Sequence, residues 1–185
     1  MEDSPSGVTI EGILGFWFDG RSIEDWFTRN PDFDRACRER LAEVSAQAAS
    51  GALDHWRDDP AGCVALCILL DQVPRNTYRD DARAFATDAA ARAITRHALD
   101  RGFADHLPRV QRLFLYLPLE HSESLEDQEL CVRLMGEQDP AWRDYAVQHR
   151  DIIARFGRFP HRNAVLGRDS TPEEIEFLKQ PGSSF

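Results

Sequence analysis

Side chains able to do chemistry are concentrated in three polar segments of this 185-residue chain: 70–79, 114–123 and 155–168. An arginine fork can hold a carboxylate or phosphate through paired hydrogen bonds, and an imidazole can transfer protons near neutral pH. These segments, with one helical histidine, supply the predicted ligand-binding residues: Asp71, Gln72, Arg75, Asn76, Arg79, Glu120, His121, Glu123, His149, Arg158, His161, Arg162 and Asn163. The pattern predicts a site for an anionic ligand.

The third polar segment is the most distinctive, because it carries four arginines and a histidine but no acidic residue, in a chain of net charge −10. Its phenylalanines, Phe156 and Phe159, indicate that it packs against the body of the protein. Packed guanidinium groups need partners, since an unpaired buried charge is very costly. Those partners are either an anionic ligand or protein carboxylates such as Asp71, Glu120 and Glu123, and the sequence leaves both interpretations open.

His121 and His161 are the candidate catalytic residues, as a general acid or base. His149 falls on a buried helical stripe and is expected to be a core histidine unless one of these two lies close to it. No HExxH or ExxH spacing is present, so we predict neither a metal nor another cofactor. Ser122 lies outside any GxSxG motif, and Ser122 or Ser124 is expected to cap a helix beginning near Leu125.

The amino-acid composition limits the kinds of molecule that we expect this protein to bind. A negative chain with a pI near 5.0 is repelled by nucleic acid and by anionic lipid, so neither is expected to bind. Lys179 is the only lysine, which excludes a GxxxxGK phosphate loop. The longest apolar run, 63–70, is too short to cross a membrane, and residues 1–7 lack the order of a signal peptide. We expect a cytoplasmic protein whose four cysteines are reduced and structural.

Helix starts are marked by four pairs of a capping residue and a proline: Asn30-Pro31, Asp59-Pro60, Asp139-Pro140 and Thr171-Pro172. The capping oxygen accepts a backbone N–H that the helix leaves unmet, and proline at the first helical position sacrifices no bond. Glu174 completes a capping box with Thr171.

Apolar periodicity predicts the helices between these starts. The first stripe is followed by Gly51 and comprises Phe33, Cys37, Leu41, Val44 and Ala48. The second lies on a helix from about 81 to 101 that stops at Gly102, and it comprises Phe85, Ala89, Ala93 and His97. The third comprises Trp142, Tyr145, His149, Ile152, Ile153 and Phe156. A central apolar helix is predicted over 60–73. Pro74 and Pro118 are each expected to interrupt an apolar helix.

Alternating strand patterns are absent, and the helices are joined by short connections. We therefore predict an all-α fold of antiparallel helical hairpins. Glycine and proline mark helix ends and do not cluster into a linker, which favours a single domain over 1–185 with a flexible N-terminus (1–8) and a polar tail (180–185).

Five strings of the sequence resemble a known bacterial family, the domain of unknown function numbered 924: GFWF, LLDQVPRNTYR, FLYLPLEHSE, RFGRFPHRNAVLGR and STPEEIEFL. The resemblance covers 13–185 and implies a tetratricopeptide-like fold, a right-handed superhelical array of helical hairpins. It implies no established activity. The family's characteristic polar positions correspond to the thirteen ligand-binding candidates named above, and Val73 stands where the family usually has Phe.

Three functional hypotheses follow. The leading one is a small-molecule-binding protein in which Arg75, Arg158 and Arg162 grip an anionic group, oriented by nearby carboxylates and His121. The second is a hydrolase-like enzyme that uses a histidine as general acid or base. The third is a protein-interaction scaffold that binds a peptide, with the polar segments acting as a structural ion-pair lock. In the first two, the three segments are expected to meet at one place.

Overall fold

The computed structural model describes residues 8–184, and across this range the regular structure is helical with no strand. The all-α prediction is therefore confirmed, whereas the tetratricopeptide-like superhelical order stays a prediction. The α-helices are α1 (Ile10–Phe18), α2 (Ile23–Phe27), α3 (Pro31–Ala49), α4 (Pro60–Cys67), α5 (Val73–Thr77), α6 (Asp88–Asp100), α7 (Arg109–Glu120), α8 (Leu125–Gly136), α9 (Pro140–Phe156) and α10 (Pro172–Phe177). Short 3-10 turns occur at Asp54–Asp58, Ala82–Phe85, Phe103–His106 and Pro160–Arg162.

The described helices belong to two compact units. The first unit comprises 8–79 and 83–115, and the second comprises 80–82 and 116–184. The single domain over 1–185 stays a prediction, and most of its expected flexible N-terminus, 1–7, lies outside the described residues. In the expected polar tail, Ser183 is buried and its hydroxyl donates to the Leu178 carbonyl (3.2 Å). Within residues 8–184, no helix combines the length and apolar character that spanning a bilayer would require.

All four predicted helix starts are confirmed. Asn30 accepts from the N–H groups of residues 32 and 33, and Asp59 accepts from that of Gly62. Asp139 caps α9, and Thr171 forms the expected capping box with Glu174 at the start of α10. These contacts are local, so the sequence was sufficient to predict them.

The core of the first unit includes the predicted stripe of α3, all of whose members are buried: Phe33, Cys37, Leu41, Val44 and Ala48. Gly51, with φ +82°, follows the end of this helix, as predicted. Helix α3 packs on α5, and α4 packs on α1 and α6. Trp17 is fully buried and contacts Phe33 and Phe114, with ring centroids 5.3 and 5.7 Å apart.

The prediction for the helix ending at Gly102 is wrong at its start and in its buried face. A 3-10 turn occupies Ala82–Phe85, and α6 begins only at Asp88. Its buried face is Ala91, Ile94, Thr95 and Ala98, whereas the predicted Ala89 and Ala93 are exposed. The side chain that decided the face is Ile94, because it buries more apolar area than any alanine of this helix.

The prediction that the central helix is interrupted at Pro74 is also wrong. Helical structure continues from Pro60 through a π-helical turn (Ile68–Gln72) into α5, and Val73 keeps helical angles (φ −58°, ψ −43°). In the wider turn, the Val73 N–H donates to the Ile68 carbonyl instead of to that of Leu69. Pro74 has no N–H to offer the Leu70 carbonyl.

Hydroxyl groups of Ser45 in α3 and of Thr87, just before α6, bond to the two carbonyls that this turn releases. Ser45 Oγ on α3 donates to the Leu69 carbonyl (2.7 Å), and the Thr87 hydroxyl donates to the Leu70 carbonyl. A buried carbonyl without a donor would cost about 1–3 kcal/mol, so these two bonds make an internal proline tolerable. Tertiary contacts therefore override the local tendency of proline to interrupt a helix.

Helix α7 likewise runs through Pro118, contrary to the prediction. Its Leu115, Leu117 and Leu119 side chains are buried, each no more than 2% exposed. Burial of three leucines favours the helix by several kcal/mol, against a proline penalty of about 3 kcal/mol.

The second unit contains α8, α9 and α10. Helices α8 and α9 form a hairpin packed along its length, and Gly157 (φ +69°) ends α9. The predicted α9 stripe is confirmed for His149, Ile152 and Ile153, which are buried, but Tyr145 is 59% exposed. Phe159, which follows α9, is completely buried against both isoleucines.

Candidate functional site

The first polar segment forms an ion-pair network inside the first unit. Arg75 lies between two carboxylates, with Nη1 3.1 Å from Asp71 Oδ1 and 2.8 Å from Asp88 Oδ1. Its Nη2 also donates to Asp88 Oδ2 (3.0 Å), which makes that pair bidentate. Burial alone would lower the pKa of Arg75, but the attraction of both aspartates outweighs it and the pKa is raised.

The other candidates of this segment have equally local contacts. Gln72 Nε2 donates to Asp71 Oδ2 (2.6 Å), and Asn76 Nδ2 lies 3.7 Å from Cys37 Sγ. Arg79 makes a bidentate pair with Asp34, in which Nη2 lies 2.7 Å from Oδ1. The contacts of Asn76 and Arg79 connect α5 and the residues after it to α3, so the segment stabilises the packing of the first unit.

The third polar segment is joined to α10 by a further bidentate pair. Arg158 Nε and Nη2 donate to Glu174 Oε1 and Oε2 at 2.7 and 2.8 Å. Glu174 also accepts from the Thr171 N–H (2.7 Å) and from Asn163 Nδ2 (3.3 Å). The bond from Arg158 is the main reason that the pKa of Glu174 falls from its ordinary 4.5 to about 2, although burial opposes this change.

A fourth bidentate pair joins Arg168 to Glu123. Arg168 Nη1 lies 2.8 Å from Glu123 Oε2, and Nη2 lies 2.9 Å from Oε1. Glu123 Oε1 also accepts the Phe159 N–H (2.8 Å), and Arg168 Nη2 donates to the Phe159 carbonyl (3.2 Å). Partial burial would raise the pKa of Glu123, but hydrogen bonds from Arg168 and Phe159 lower it.

Polar and aromatic side chains of the second unit converge on the ring of Phe159. We call this group the Phe159 cluster; it comprises Glu120, His121, His149, Phe159, His161 and Arg162. The Phe159 ring centroid lies 5.8 Å from that of His149 and 5.6 Å from that of His161, and the Arg162 guanidinium lies 4.5 Å above it.

The remaining contacts of the Phe159 cluster connect the C-terminal end of α7 to α9 and to the turn that follows it. The ring centroids of His121 and His149 are 6.4 Å apart, and Glu120 Oε1 lies 3.7 Å from His149 Nδ1. Arg162 Nη2 donates to the His121 carbonyl (3.0 Å). Glu120, His149, Phe159 and Arg162 are buried, whereas His121 and His161 are half-buried.

His149 is held as a neutral imidazole of one tautomer. Its Nδ1 lies 3.0 Å from the Tyr145 carbonyl, which can only accept, so Nδ1 carries the proton and Nε2 the lone pair. Its pKa is lowered to about 3, mainly by burial and further by the charges of His121, Arg162 and His161. The hydrogen bond to Tyr145 acts in the opposite direction and raises the pKa, but it does not outweigh them. His149 is therefore uncharged near pH 7 and cannot act there as a general acid.

The backbone around His121 is held by α8. Gln128 Nε2 donates to the carbonyls of Glu120 (2.6 Å) and Ser122 (2.7 Å), the residues on either side of His121. The Ser122 hydroxyl donates to Asp127 (2.6 Å) and accepts the Ser124 N–H (3.2 Å). Helix α8 begins at Leu125 as predicted, and the Ser122 hydroxyl bonds to Asp127 in its first turn.

The thiols take no part in this chemistry. Cys37, Cys63, Cys67 and Cys131 are all free and buried, as predicted. Burial raises the pKa of Cys37 and of Cys63 to about 11, so neither is a nucleophilic thiolate near neutral pH. Among residues 8–184, no group of three or more His, Cys, Asp or Glu side chains could hold a metal ion.

The structure thus distributes the sequence-predicted site residues among distinct environments. Glu120, His121, His149, His161 and Arg162 come together in the Phe159 cluster, and the approach of His121 to His149 is the condition under which His149 was expected to matter. Glu123, Arg158 and Asn163 take part in the pairs beside it, and the five candidates of the first polar segment lie in the first unit. That all three segments share one centre stays a prediction.

Sequence reasoning missed four partners of these residues: Asp34, Asp88, Arg168 and Glu174. Arg168 belongs to the arginine run, and this membership was the one available indication of its role. Glu174 was recognised only as a helix cap. Asp34 and Asp88 lie in the first turns of α3 and α6, where an acidic residue is expected for the helix dipole and suggests no other role.

Fold and site together define an all-helical protein in whose second unit bidentate ion pairs lie beside a partly buried cluster of histidines, an arginine and a glutamate. The chain belongs to the family of bacterial proteins of unknown function DUF924, whose model matches residues 13–182. A solved structure of a protein of unknown function from Agrobacterium tumefaciens is similar over 92% of this chain and 96% of its own, with 36% identity and a TM-score of 0.88. None of the curated proteins is significantly similar to this chain.

Proposed function

We propose that this protein binds a small molecule at the Phe159 cluster, and that the bound molecule carries an anionic group such as a carboxylate or phosphate. The observation that supports this proposal is the convergence of Arg162, His149 and His161 on a buried aromatic ring, with the His121 ring next to that of His149, in an acidic chain. Binding sites typically combine apolar and aromatic lining with a few converging polar groups.

Arg162 is the residue that we assign to the anion. Its planar fork suits bidentate recognition of carboxylate or phosphate, and its side chain is stacked on Phe159 with only 6% of the residue exposed. A guanidinium held in this way loses little conformational freedom on binding, which favours affinity. His121 and His161, both half-buried, would supply hydrogen bonds from the side open to solvent.

Arg75 and Arg158, expected to grip the same anion, are assigned a structural role in this proposal. Each already holds a protein carboxylate through a bidentate pair, so an incoming anion would have to displace Asp88 or Glu174. The ion-pair lock and the binding site are therefore not competing explanations. Ion pairing accounts for Arg75 in the first unit and for Arg158 in the second, and the proposed site comprises residues of the Phe159 cluster.

The experiment is a thermal-shift titration against phosphorylated and carboxylated metabolites, with orthophosphate and acetate as minimal probes. A ligand at a hundred times its Kd should stabilise the native protein by about 2.7 kcal/mol. Arg162→Met keeps the apolar stem but removes the charge, and His161→Gln removes the imidazole; both should abolish the shift. Arg155→Gln is the matched control, because Arg155 belongs to the same segment but makes an exposed pair with Glu173.

Two results would contradict the proposal. In the first, no compound of these classes stabilises the wild-type protein. In the second, a compound does so, but its shift persists in Arg162→Met and His161→Gln, which would place the binding elsewhere. An enzyme remains the second candidate, with His121 or His161 as the acid or base; it predicts that a binding compound is converted, and that its conversion is lost in His161→Gln.

A further inference from the structure

We propose that Glu123 and Arg168 are positioning residues, which orient the Phe159 ring on which the cluster is assembled. The consequence for binding rests on the function proposed above, whereas the orientation of the ring can be tested without any ligand. Glu123 was expected to contact the ligand, whereas here it is assigned to orienting Phe159. Arg168 was not among the expected site residues at all.

The backbone of Phe159 lies between two helical elements. This residue follows Gly157, which ends α9, and precedes the 3-10 turn at Pro160–Arg162. Outside a helix, its N–H needs an acceptor from elsewhere, and Glu123 Oε1 provides it at 2.8 Å. Its carbonyl accepts from the Arg162 N–H (3.1 Å) and from Arg168 Nη2 (3.2 Å).

The two side chains also hold each other. Arg168 donates to both oxygens of Glu123, and this paired geometry restricts rotation of both groups. Arg168 Nε donates in addition to Asn163 Oδ1 (3.0 Å), at the end of the same turn. The pair therefore holds both polar groups of one peptide residue and the turn that follows it.

What this arrangement positions is the aromatic ring. The Phe159 side chain lies against His149, His161 and the Arg162 guanidinium, all within 5.8 Å of its centroid. A rotation of the Phe159 backbone would move the ring relative to all three. The Glu123–Arg168 pair thus acts on the cluster through Phe159, without contacting the histidines.

The partial exposure of the pair sharpens the prediction. The Glu123 and Arg168 side chains are 30% and 25% exposed, a setting in which an ion pair adds little to global stability. A purely structural pair of this kind would change the unfolding midpoint slightly and leave the native site as it was. A positioning pair would displace the site in a protein that still folds.

The test is the ¹H–¹³C spectrum of the histidine imidazoles in the ligand-free protein, for Glu123→Gln, Arg168→Ala and Arg168→Lys. We expect the His149 and His161 resonances to shift in all three, because the ring current of Phe159 acts on both. Arg168→Lys keeps the charge but cannot donate to both Glu123 oxygens and the Phe159 carbonyl, so it serves if Arg168→Ala fails to fold. His55 and His97, in the first unit, should not move, nor should any resonance in Arg155→Gln.

Unchanged His149 and His161 resonances in folded Glu123→Gln and Arg168→Lys would overturn the inference. An orthophosphate titration completes the test, with Kd expected to rise about tenfold in both variants. If wild-type protein binds neither orthophosphate nor any metabolite of the panel, the proposed function fails while the resonance shifts still decide the positioning role. If it binds and both variants bind equally well, the positioning role fails alone.

Discussion

Replacing Arg158 with alanine tests whether the third polar segment is held by an ion-pair lock. The substitution removes both bonds to Glu174 and a third, from Nη2 to the Asp169 carbonyl (2.9 Å). The Glu174 carboxylate then keeps only the Thr171 N–H and Asn163 Nδ2 among the donors described above. Its side chain is 2% exposed, so water cannot replace the lost guanidinium fully.

The size of the effect follows from where the two partners lie. Removing one member of a fully buried pair costs about 3–5 kcal/mol, and an exposed pair contributes about 0–1 kcal/mol. Arg158 is 28% exposed while Glu174 is buried, so we expect Arg158→Ala to lower the free energy of unfolding by about 2 kcal/mol. The matched control is Arg155→Ala. The Arg155 and Glu173 side chains are 49% and 64% exposed, so the loss of this pair should lower the free energy of unfolding by less than about 1 kcal/mol.

Urea unfolding at pH 7 measures both variants, and the midpoint should move without a change in slope. The difference should also depend on pH. Because the folded-state pKa of Glu174 lies at about 2, below its ordinary 4.5, the stabilisation is present above pH 4.5 and is lost as the pH falls toward 2. The wild-type advantage over Arg158→Ala should therefore disappear in this acidic range.

A loss in Arg158→Ala no larger than that in Arg155→Ala would refute the reasoning. If such a variant also no longer bound orthophosphate, Arg158 would be a ligand residue, as first expected from the sequence.

Three further predictions concern individual contacts. Gly62→Ala should destabilise the protein by about 3 kcal/mol or more in urea unfolding, because the new Cβ would lie 2.0 Å from the Trp56 carbonyl oxygen; an unchanged midpoint would contradict this contact. Ser45→Ala should cost about 1–3 kcal/mol by removing the donor to the Leu69 carbonyl, whereas Ser50→Ala, whose hydroxyl bond is exposed, should be near neutral. In ¹⁵N spectra His149 should stay neutral and Nδ1-protonated from pH 8 to pH 5, because its pKa is about 3; titration near pH 6.5 would refute its burial in this tautomer.

The helix starts show what sequence could predict. Each capping side chain lies within four residues of the N–H groups that donate to it, so a short segment of sequence contains the whole interaction. The prolines inside helices show the opposite case. Pro74 breaks a local rule, and the compensation comes from Ser45 and Thr87, hydroxyls that lie 24 and 17 residues from the carbonyls they reach.

The same division applies to the candidate site. Residue types and their clustering by themselves identified the polar residues, including His149, His161 and Arg162, which surround Phe159. Only the tertiary structure decided which arginine met which carboxylate: Arg158 pairs with Glu174 across 16 residues, and Arg168 pairs with Glu123 across 45. Sequence spacing cannot determine such partners, because a charge attracts any opposite charge, and the packing of the helices selects the one that lies within reach.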